Sequence, residues 1–222
     1  MNRSHPGIFA LALTFTLTAW PTGDAAAVPV FDPCFDGCMT LNPGSNLVSF
    51  RRLPANASIA AVFGDVASNI VAIQGDGVFA IRLLDGTFAG NATTLERTRG
   101  YWVTTDLAAS ADVPFVGEET DPDLQYNLRQ GKSLVSFPCG VEIPIESAFH
   151  PEDLGKVLDI QAQGKVAKKL PNSWAGTLKT LEPNKGYWVN VSEAIPDDLA
   201  GLSCVNVLRA NVMRCGNSGR DV

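Results

Sequence analysis

Residues 46–50 read Asn-Leu-Val-Ser-Phe, and residues 133–137 read Ser-Leu-Val-Ser-Phe, 87 positions later. A second stretch recurs in the same way. Residues 95–103 end in Gly-Tyr-Trp-Val, and residues 181–189 repeat that ending 86 positions later. Two landmarks at almost one spacing indicate tandem copies of a small module, because a period of about 87 residues is too long for a solenoid repeat. We therefore predict two homologous modules.

A short helix is predicted after the first strand of each copy. In the first copy Ser58 is the predicted N-cap. Apolar residues then recur on one helical face, at Ile59, Val62, Phe63 and Val66. In the second copy Ile145 and Phe149 stand at matching positions. Pro151 follows them, and a proline suits the first turn of a short helix but breaks a longer one.

The rest of each copy is typical of strands. The Leu-Val-Ser-Phe stretches follow Gly44 and Gly131 and are β-prone. Residues 71–73 and 158–160 place apolar side chains two positions apart, which favours a strand with one buried face. A turn over residues 183–184 leads into the last strand of the second copy. The predicted fold is mainly β (α+β), with two homologous small β-rich modules that each contain one short helix.

The N-terminus predicts a secretory signal peptide over residues 1–27. Arg3 precedes an apolar run at 8–20, and three alanines end at Ala27, where we expect cleavage. An uncleaved anchor is the alternative. The rest of the chain is predicted to comprise an N-terminal segment at 28–40, module 1 at 41–117, an acidic linker at 118–123, module 2 at 124–200 and a C-terminal tail at 201–222. We expect a secreted or periplasmic protein without a membrane span, since no later apolar run is long enough.

Composition bounds the partners and the redox state. The net charge of −6 argues against nucleic acid as a partner. All five cysteines lie beyond the predicted cleavage site, where an oxidising compartment favours disulfides. We expect Cys34–Cys38 and Cys204–Cys215 to be bonded and Cys139 to be free. One alternative joins Cys139 to Cys204 or Cys215, and a zinc site at the first pair is another, although no histidine lies nearby.

The two landmarks also carry a resemblance. Residues 44–50 read Gly-Ser-Asn-Leu-Val-Ser-Phe, residues 131–138 read Gly-Lys-Ser-Leu-Val-Ser-Phe-Pro, and Gly-Tyr-Trp closes both copies. This order resembles the tandem Gly-Trp-Asn-Leu-Ile-Ser…Gly-Tyr-Trp repeat modules of secreted and cell-surface bacterial proteins. The tryptophan after the first glycine of that pattern is missing from both copies. The resemblance spans residues 41–107 and 128–195. It implies architecture and an extracellular location, and it supplies no catalytic residue.

No catalytic set, metal site or cofactor is predicted. His150 is the one histidine beyond the signal peptide and has no nucleophile motif around it. Glu96 and Glu182 stand three residues before Arg99 and Lys185, a spacing that favours local ion pairs. A glycoside or ester hydrolase that uses one of these glutamates is the alternative. The acidic stretch at 118–123 lacks the pattern of a calcium loop.

Aromatic residues are the remaining candidates for ligand binding. Tyr101 and Trp102 must point to opposite faces of a strand, so one of them tends outward. An exposed tryptophan can stack on a sugar ring, whereas a core tryptophan would fix the turn and pack on the helix. The aromatic positions that match between the copies are Phe88, Trp102, Trp174 and Trp188.

We therefore expect a secreted, non-enzymatic binding or structural surface protein. Its partner would be a protein or a polysaccharide at the cell surface. The alternatives are a carbohydrate-binding protein that uses exposed tryptophans and a hydrolase that uses a repeated glutamate.

Overall fold

A computed structural model describes residues 34, 37–121, 124 and 126–195. The predicted signal peptide and the predicted C-terminal tail lie outside the described residues. Among those residues, strands far outnumber helices, which confirms the predicted mainly β fold. All of them belong to one compact unit. We describe the part of this unit before residue 120 as the first half and the part after it as the second half.

The described part of the first half contains nine strands and one α-helix that runs into a 3-10 turn. In chain order these are β1 (Cys38–Leu41), β2 (Gly44–Ser49), β3 (Arg52–Leu53), α1 (Ile59–Phe63), the 3-10 turn (Gly64–Asn69), β4 (Ile70–Gln74), β5 (Phe79–Arg82), β6 (Phe88–Gly90), β7 (Gly100–Thr105), β8 (Ala111–Pro114) and β9 (Glu118–Glu119).

The described part of the second half contains seven strands and two short helices. In chain order these are β10 (Gly131–Val135), β11 (Ile143–Pro144), α2 (Ile145–Ala148), α3 (Pro151–Leu154), β12 (Val157–Ala162), β13 (Lys165–Leu170), β14 (Ser173–Gly176), β15 (Thr180–Leu181) and β16 (Tyr187–Val191).

Each half has a five-stranded antiparallel sheet, and the two sheets have corresponding strand orders. The order is β2-β7-β4-β5-β6 in the first and β10-β16-β12-β13-β14 in the second. The Leu-Val-Ser-Phe strand is therefore an edge strand in both sheets, and the Gly-Tyr-Trp strand is its neighbour. Three two-stranded sheets, β1–β8, β3–β9 and β11–β15, complete the fold. The division into modules at 41–117 and 124–200 stays a prediction.

The helix predicted in the first half is present over Ile59–Phe63, and Val66 of its predicted face lies in the 3-10 turn that follows. Ser58 caps α1, because its hydroxyl accepts a hydrogen bond from the Ala61 N–H at 3.4 Å. The helix buries Ile59, Val62 and Phe63. In the second half the chain forms two short helices in place of the one predicted. Pro151 begins α3, and its lack of an N–H group prevents it from continuing α2.

Each sheet covers a core of its own. In the first core the ring of Phe50 meets that of Phe63 at 5.6 Å and that of Tyr101 at 6.0 Å, measured between centroids. In the second core the rings of Phe137 and Tyr187 are 6.1 Å apart. Edge-on and tilted arrangements at these distances are favourable for aromatic pairs. The phenylalanine of one landmark therefore packs on the tyrosine of the other within each half.

The predicted acidic linker begins as a strand. Glu118 and Glu119 form β9, which pairs with β3. Arg51 contacts the Glu119 carboxylate at 2.5 Å, and Arg97 donates a hydrogen bond to the Glu118 carbonyl at 2.9 Å. Thr120 is buried behind them. Two arginines from earlier loops thus bind the start of this segment to the rest of the first half.

One predicted disulfide is present and one cysteine assignment is wrong. Cys34 and Cys38 are bonded, with Cα atoms 5.1 Å apart, as predicted. Gly37 closes the ring, since its N–H donates to the Cys34 carbonyl at 2.8 Å. Cys139 is not free: it is buried and belongs to a disulfide. The other cysteine of that bond and the predicted Cys204–Cys215 pair lie outside the described residues. Cysteine spacing alone does not determine which cysteines pair.

Candidate functional site

The Gly-Tyr-Trp strands bury the tyrosine and turn the tryptophan outward. Tyr101 and Tyr187 are each 1 % exposed, whereas Trp102 and Trp188 are half-buried on the opposite faces of their sheets. Each tyrosine hydroxyl accepts a hydrogen bond from the backbone N–H of the repeated glutamate in its own half. The distance is 2.9 Å from Glu96 to Tyr101 and 2.6 Å from Glu182 to Tyr187. Burial raises the pKa of Tyr101 to about 12 and also raises that of Tyr187.

The four aromatic residues singled out by the sequence do not form one site. Phe88 pairs with Arg82, and Trp174 pairs with Lys169, which places both rings on the core faces of their sheets. Both pack against the cores. The Lys169 ammonium lies 5.1 Å from the Trp174 ring centroid. Since Trp188 is on the outer face, Trp174 and Trp188 stand on opposite sides of one sheet.

The outer face of the first sheet has an uncharged, largely apolar patch. The strand register places Gln74 beside Phe79 on one side and beside Trp102 on the other, so the three side chains share this face. Ile81 follows Phe79 at the next outward position, and each is 49 % exposed. We call Gln74, Phe79, Ile81 and Trp102 the outer patch. The sequence analysis missed it because residues 79–81 are all apolar and show no alternation.

The outer face of the second sheet differs in charge. Val166 stands where the first sheet has Phe79, and Lys168 stands where it has Ile81. The register places Gln161 between Val166 and Trp188. The two halves therefore present a tryptophan and a glutamine at the same places, but only the first adds two outward apolar side chains, Phe79 and Ile81, to them.

The repeated landmarks also join the two halves. The Ser49 N–H donates to the Asn184 carbonyl at 3.0 Å, and the Ser49 hydroxyl donates to the Lys185 carbonyl at 2.8 Å. In the second half the Ser136 N–H donates to the Thr98 carbonyl at 3.1 Å, and its hydroxyl donates to the Arg97 carbonyl. The serine of each Leu-Val-Ser-Phe stretch thus binds the turn before the Gly-Tyr-Trp of the other half.

Two glycines allow this approach. A Cβ on Gly100 would lie 2.7 Å from the Val135 carbonyl oxygen, and one on Gly186 would lie 2.8 Å from that of Val48. Real Cβ atoms do not approach backbone this closely, so both positions require glycine. The recurrence of these glycines did not predict this contact, because a sequence gives no sign of contact between copies.

A polar cleft opens beside this junction, on the free edge of β10. Its volume is about 460 Å³, and its lining includes Asp76, Glu96, Arg99, Arg129, Ser133 and Leu134. Arg129 pairs with Asp76 at 2.7 Å, and Arg99 pairs with Glu96 at 2.8 Å. The hydrogen bond to Glu96 raises the pKa of Arg99. The sequence analysis missed this cleft because its residues come from distant segments of both halves.

A smaller cleft of about 60 Å³ occupies the corresponding place on the edge of β2. Leu47 and Gln163 are among its lining residues, and so are Lys165 and Glu182, which form an ion pair at 2.7 Å. The ion pair expected between Glu96 and Arg99 is confirmed. Glu182 binds Lys165 and not Lys185, because the β12–β13 turn brings Lys165 alongside it.

The other chemical candidates form no cluster. Glu96 and Glu182 line different clefts. His150 precedes α3 and lies 3.4 Å from the Glu152 carboxylate. Within the described residues no group of three or more histidine, cysteine, aspartate or glutamate side chains is arranged to hold a metal ion.

Comparisons with known proteins give no family for this chain. No family model matches it, and no curated protein or solved structure matches it either. None of the helices in the described part of the chain is long and apolar enough to cross a membrane.

Proposed function

We propose that this chain is a secreted, non-enzymatic binding protein made of two tandem repeat modules, and that the outer patch contacts a protein partner at the cell surface. One observation carries the proposal. Phe79 and Ile81 are half-exposed on either side of Ala80, which is fully buried. A strand whose outward positions are apolar leaves that surface available for another molecule to cover.

The chemistry of the patch favours a protein over other ligands. Its strands place Gln74, Phe79, Ile81 and Trp102 on one face without a charged side chain among them. The cores of protein interfaces are enriched in aromatic residues and depleted of charge. The corresponding face of the second sheet carries Lys168, so the two halves would not bind the same partner.

Three features support the secreted location. The predicted signal peptide at 1–27 directs export, and the resemblance to cell-surface repeat modules implies the same compartment. The Cys34–Cys38 disulfide agrees with this, because disulfides persist in oxidising compartments and are rare in the cytosol.

The test exchanges one residue between the halves. Ile81→Lys gives the outer patch the side chain that the second sheet carries, and we expect binding of the purified protein to envelopes of the producing cells to fall at least tenfold. Val166→Lys adds the same charge to the second sheet and is the matched control. Circular dichroism verifies that both variants fold. Undiminished binding by folded Ile81→Lys overturns the outer patch as the contact surface.

Carbohydrate binding is the second candidate, and a specific pairing favours it. Trp102 lies beside Gln74 and Trp188 lies beside Gln161, each pair on an outer face. A half-exposed indole next to an amide offers stacking and hydrogen bonding to one sugar ring. Polysaccharide binding that is lost with Trp102→Ala and Trp188→Ala, but retained by Ile81→Lys, would select this function over protein contact.

A further inference from the structure

We propose that the cleft on the edge of β10 binds a primary carboxamide, the group that ends a glutamine or asparagine side chain. This site is separate from the outer patch and does not depend on it. The smaller cleft on β2 shows how such a group is bound, because a side chain of the protein already occupies the corresponding place there.

Gln163 fills the smaller cleft by binding a strand edge with one amide group. Its Oε1 accepts a hydrogen bond from the Leu47 N–H at 2.9 Å. Its Nε2 donates to the Ser45 carbonyl at 2.9 Å. A donor and an acceptor on the free edge of β2 are therefore satisfied by a single carboxamide from the other half.

The larger cleft has the same strand edge, but no glutamine side chain occupies it. Lys132 and Leu134 stand 87 residues after Ser45 and Leu47. The Ser136 N–H bonds to the first half at this edge, and alternate residues of an antiparallel strand direct their N–H and C=O groups to the same side. The Leu134 N–H and the Lys132 carbonyl thus face the cleft. Among the described residues neither group has a hydrogen-bond partner.

The residue that corresponds to Gln163 does not close the larger cleft. Asp76 occupies this position in the β4–β5 turn, and its carboxylate binds Arg129 at 2.7 Å. A carboxylate has no N–H with which to reach a strand carbonyl. The cleft that Gln163 occupies has a volume of about 60 Å³, and the cleft beside Asp76 has a volume of about 460 Å³.

Hydrogen-bond geometry selects the ligand. The edge offers one N–H and one C=O close together, so the ligand must present an acceptor and a donor on the same side of one carbon. A primary carboxamide does so. The N–H and C=O of a single trans peptide group or of an acetamido group point in opposite directions, so neither group alone meets this requirement. Carboxylates offer no donor, and ammonium and guanidinium groups offer no acceptor.

The mouth of the cleft favours a small zwitterion. The Arg99–Glu96 and Arg129–Asp76 pairs provide both charges beside the strand edge. Arginine matches an α-carboxylate in a bidentate manner, and the carboxylates match an α-ammonium. Free glutamine and a glutamine side chain within a peptide both provide the carboxamide, and the test separates these two sources.

The first test titrates the full-length secreted protein by calorimetry with L-glutamine, L-glutamate and N-acetyl-L-glutamine methylamide. We expect one equivalent of glutamine to bind, and glutamate to bind at least tenfold more weakly. Equal binding of the capped derivative identifies a peptide side chain as the source. Binding of free glutamine alone identifies the amino acid. If glutamine does not bind, or binds no better than glutamate, the proposal is overturned.

The second test introduces a glutamine side chain into the larger cleft. Asp76→Gln places in the larger cleft the side chain that closes the smaller one, and we expect glutamine affinity to fall at least tenfold. Asp76→Ala removes the same carboxylate without filling the cleft and is the matched control, so it should bind glutamine more tightly than Asp76→Gln. Unchanged affinity of a folded Asp76→Gln variant contradicts the proposal. Gln163→Ala provides an independent readout, because it opens the smaller cleft and should add a second equivalent of glutamine. A stoichiometry that stays at one counts against the shared geometry.

Discussion

Ser49 shows how much one hydroxyl contributes to joining the halves. It donates to the Lys185 carbonyl at 2.8 Å and accepts from the Phe137 N–H at 3.2 Å. Ser49→Ala leaves both of these groups without that partner. Unsatisfied buried groups cost roughly 1–3 kcal/mol. We expect the free energy of unfolding, measured by urea denaturation, to fall by about that amount.

Ser133 is the matched control for this change. Its hydroxyl is buried, and no residue in the described part of the chain accepts or donates a hydrogen bond to it. Ser133→Ala removes a buried polar atom without orphaning another, so stability should stay the same or rise. Equal losses for the Ser49 and Ser133 variants would contradict the role given to the hydrogen bonds of Ser49.

Cys139 sets a second expectation at the residue scale. It is disulfide-bonded, and Cys34 and Cys38 are bonded to each other. The sequence leaves Cys204 and Cys215 as the two candidate partners within the chain. Peptide mapping without reduction should find a Cys139 peptide crosslinked to one containing Cys204 or Cys215. A Cys139 peptide of unmodified mass would contradict the bond.

At the scale of elements, the glycines of β7 and of the turn before β16 determine whether the halves meet. Gly100→Ala and Gly186→Ala each place a methyl group below 3.0 Å from a carbonyl oxygen of the opposite half. Overpacking of this kind costs about 1–3 kcal/mol. We expect each variant to lower the thermal midpoint, as measured by differential scanning calorimetry.

Gly155 provides the control for both substitutions. No atom lies within 4 Å of the Cβ that it would carry, and its φ of −66° suits any residue. Gly155→Ala should therefore leave the midpoint unchanged or raise it slightly, because alanine restricts the unfolded chain. A loss as large as that of Gly100→Ala would show that the junction is not the cause.

Local sequence patterns predicted the helices and strands. They did not predict the register, that is, which residues of neighbouring strands lie opposite one another. The helical spacing of Ile59, Val62 and Phe63 and the position of Pro151 both reflect interactions within a few residues, and both predictions are confirmed. The faces of Phe88 and Trp174 depend on which residues of the neighbouring strand lie opposite. That pairing comes from contacts distant in sequence, so the predicted group of four aromatics divides between two faces.

For the whole molecule, the tyrosines predict the response to alkali. The chain has three, Tyr101, Tyr126 and Tyr187, and all are buried. Burial raises the pKa of Tyr101 from 10.0 to about 12 and raises those of the other two. The folded state favours the protonated phenol, so this contribution to stability is complete below about pH 10 and is lost as the pH rises through 12.

A pH titration tests this expectation with two signals. Phenolate absorbance should show no tyrosine that ionises near pH 10, and its rise should coincide with the loss of circular dichroism. A phenolate step near pH 10 in a protein that keeps its dichroism would contradict the burial of at least one ring. Chemically denatured protein provides the reference curve, because its tyrosines are solvated.

The junction between the halves marks the limit of the sequence analysis. The recurrence of Leu-Val-Ser-Phe and Gly-Tyr-Trp was apparent from the residues alone, and so was the strand character of both. The sequence did not show that the serine of each Leu-Val-Ser-Phe stretch binds the turn before the Gly-Tyr-Trp of the other half. A repeated motif has the same sequence whether it contacts its own copy or the other one. The larger cleft follows from that junction and was missed with it.

The exchange of hydrogen bonds at the junction has an evolutionary consequence. If the two halves descend from one ancestral module, that module had a serine on an edge strand and a turn before a glycine. No part of the same module could complete the hydrogen bonds between them. Two identical chains meeting about a two-fold axis would satisfy both at once, since each surface would contact its mate. Fusion into one chain would then have replaced a concentration-dependent homodimer by a tethered pair, at an effective concentration in the millimolar range for a short linker. Only after that step could the two clefts diverge, one closed by Gln163 and the other left open.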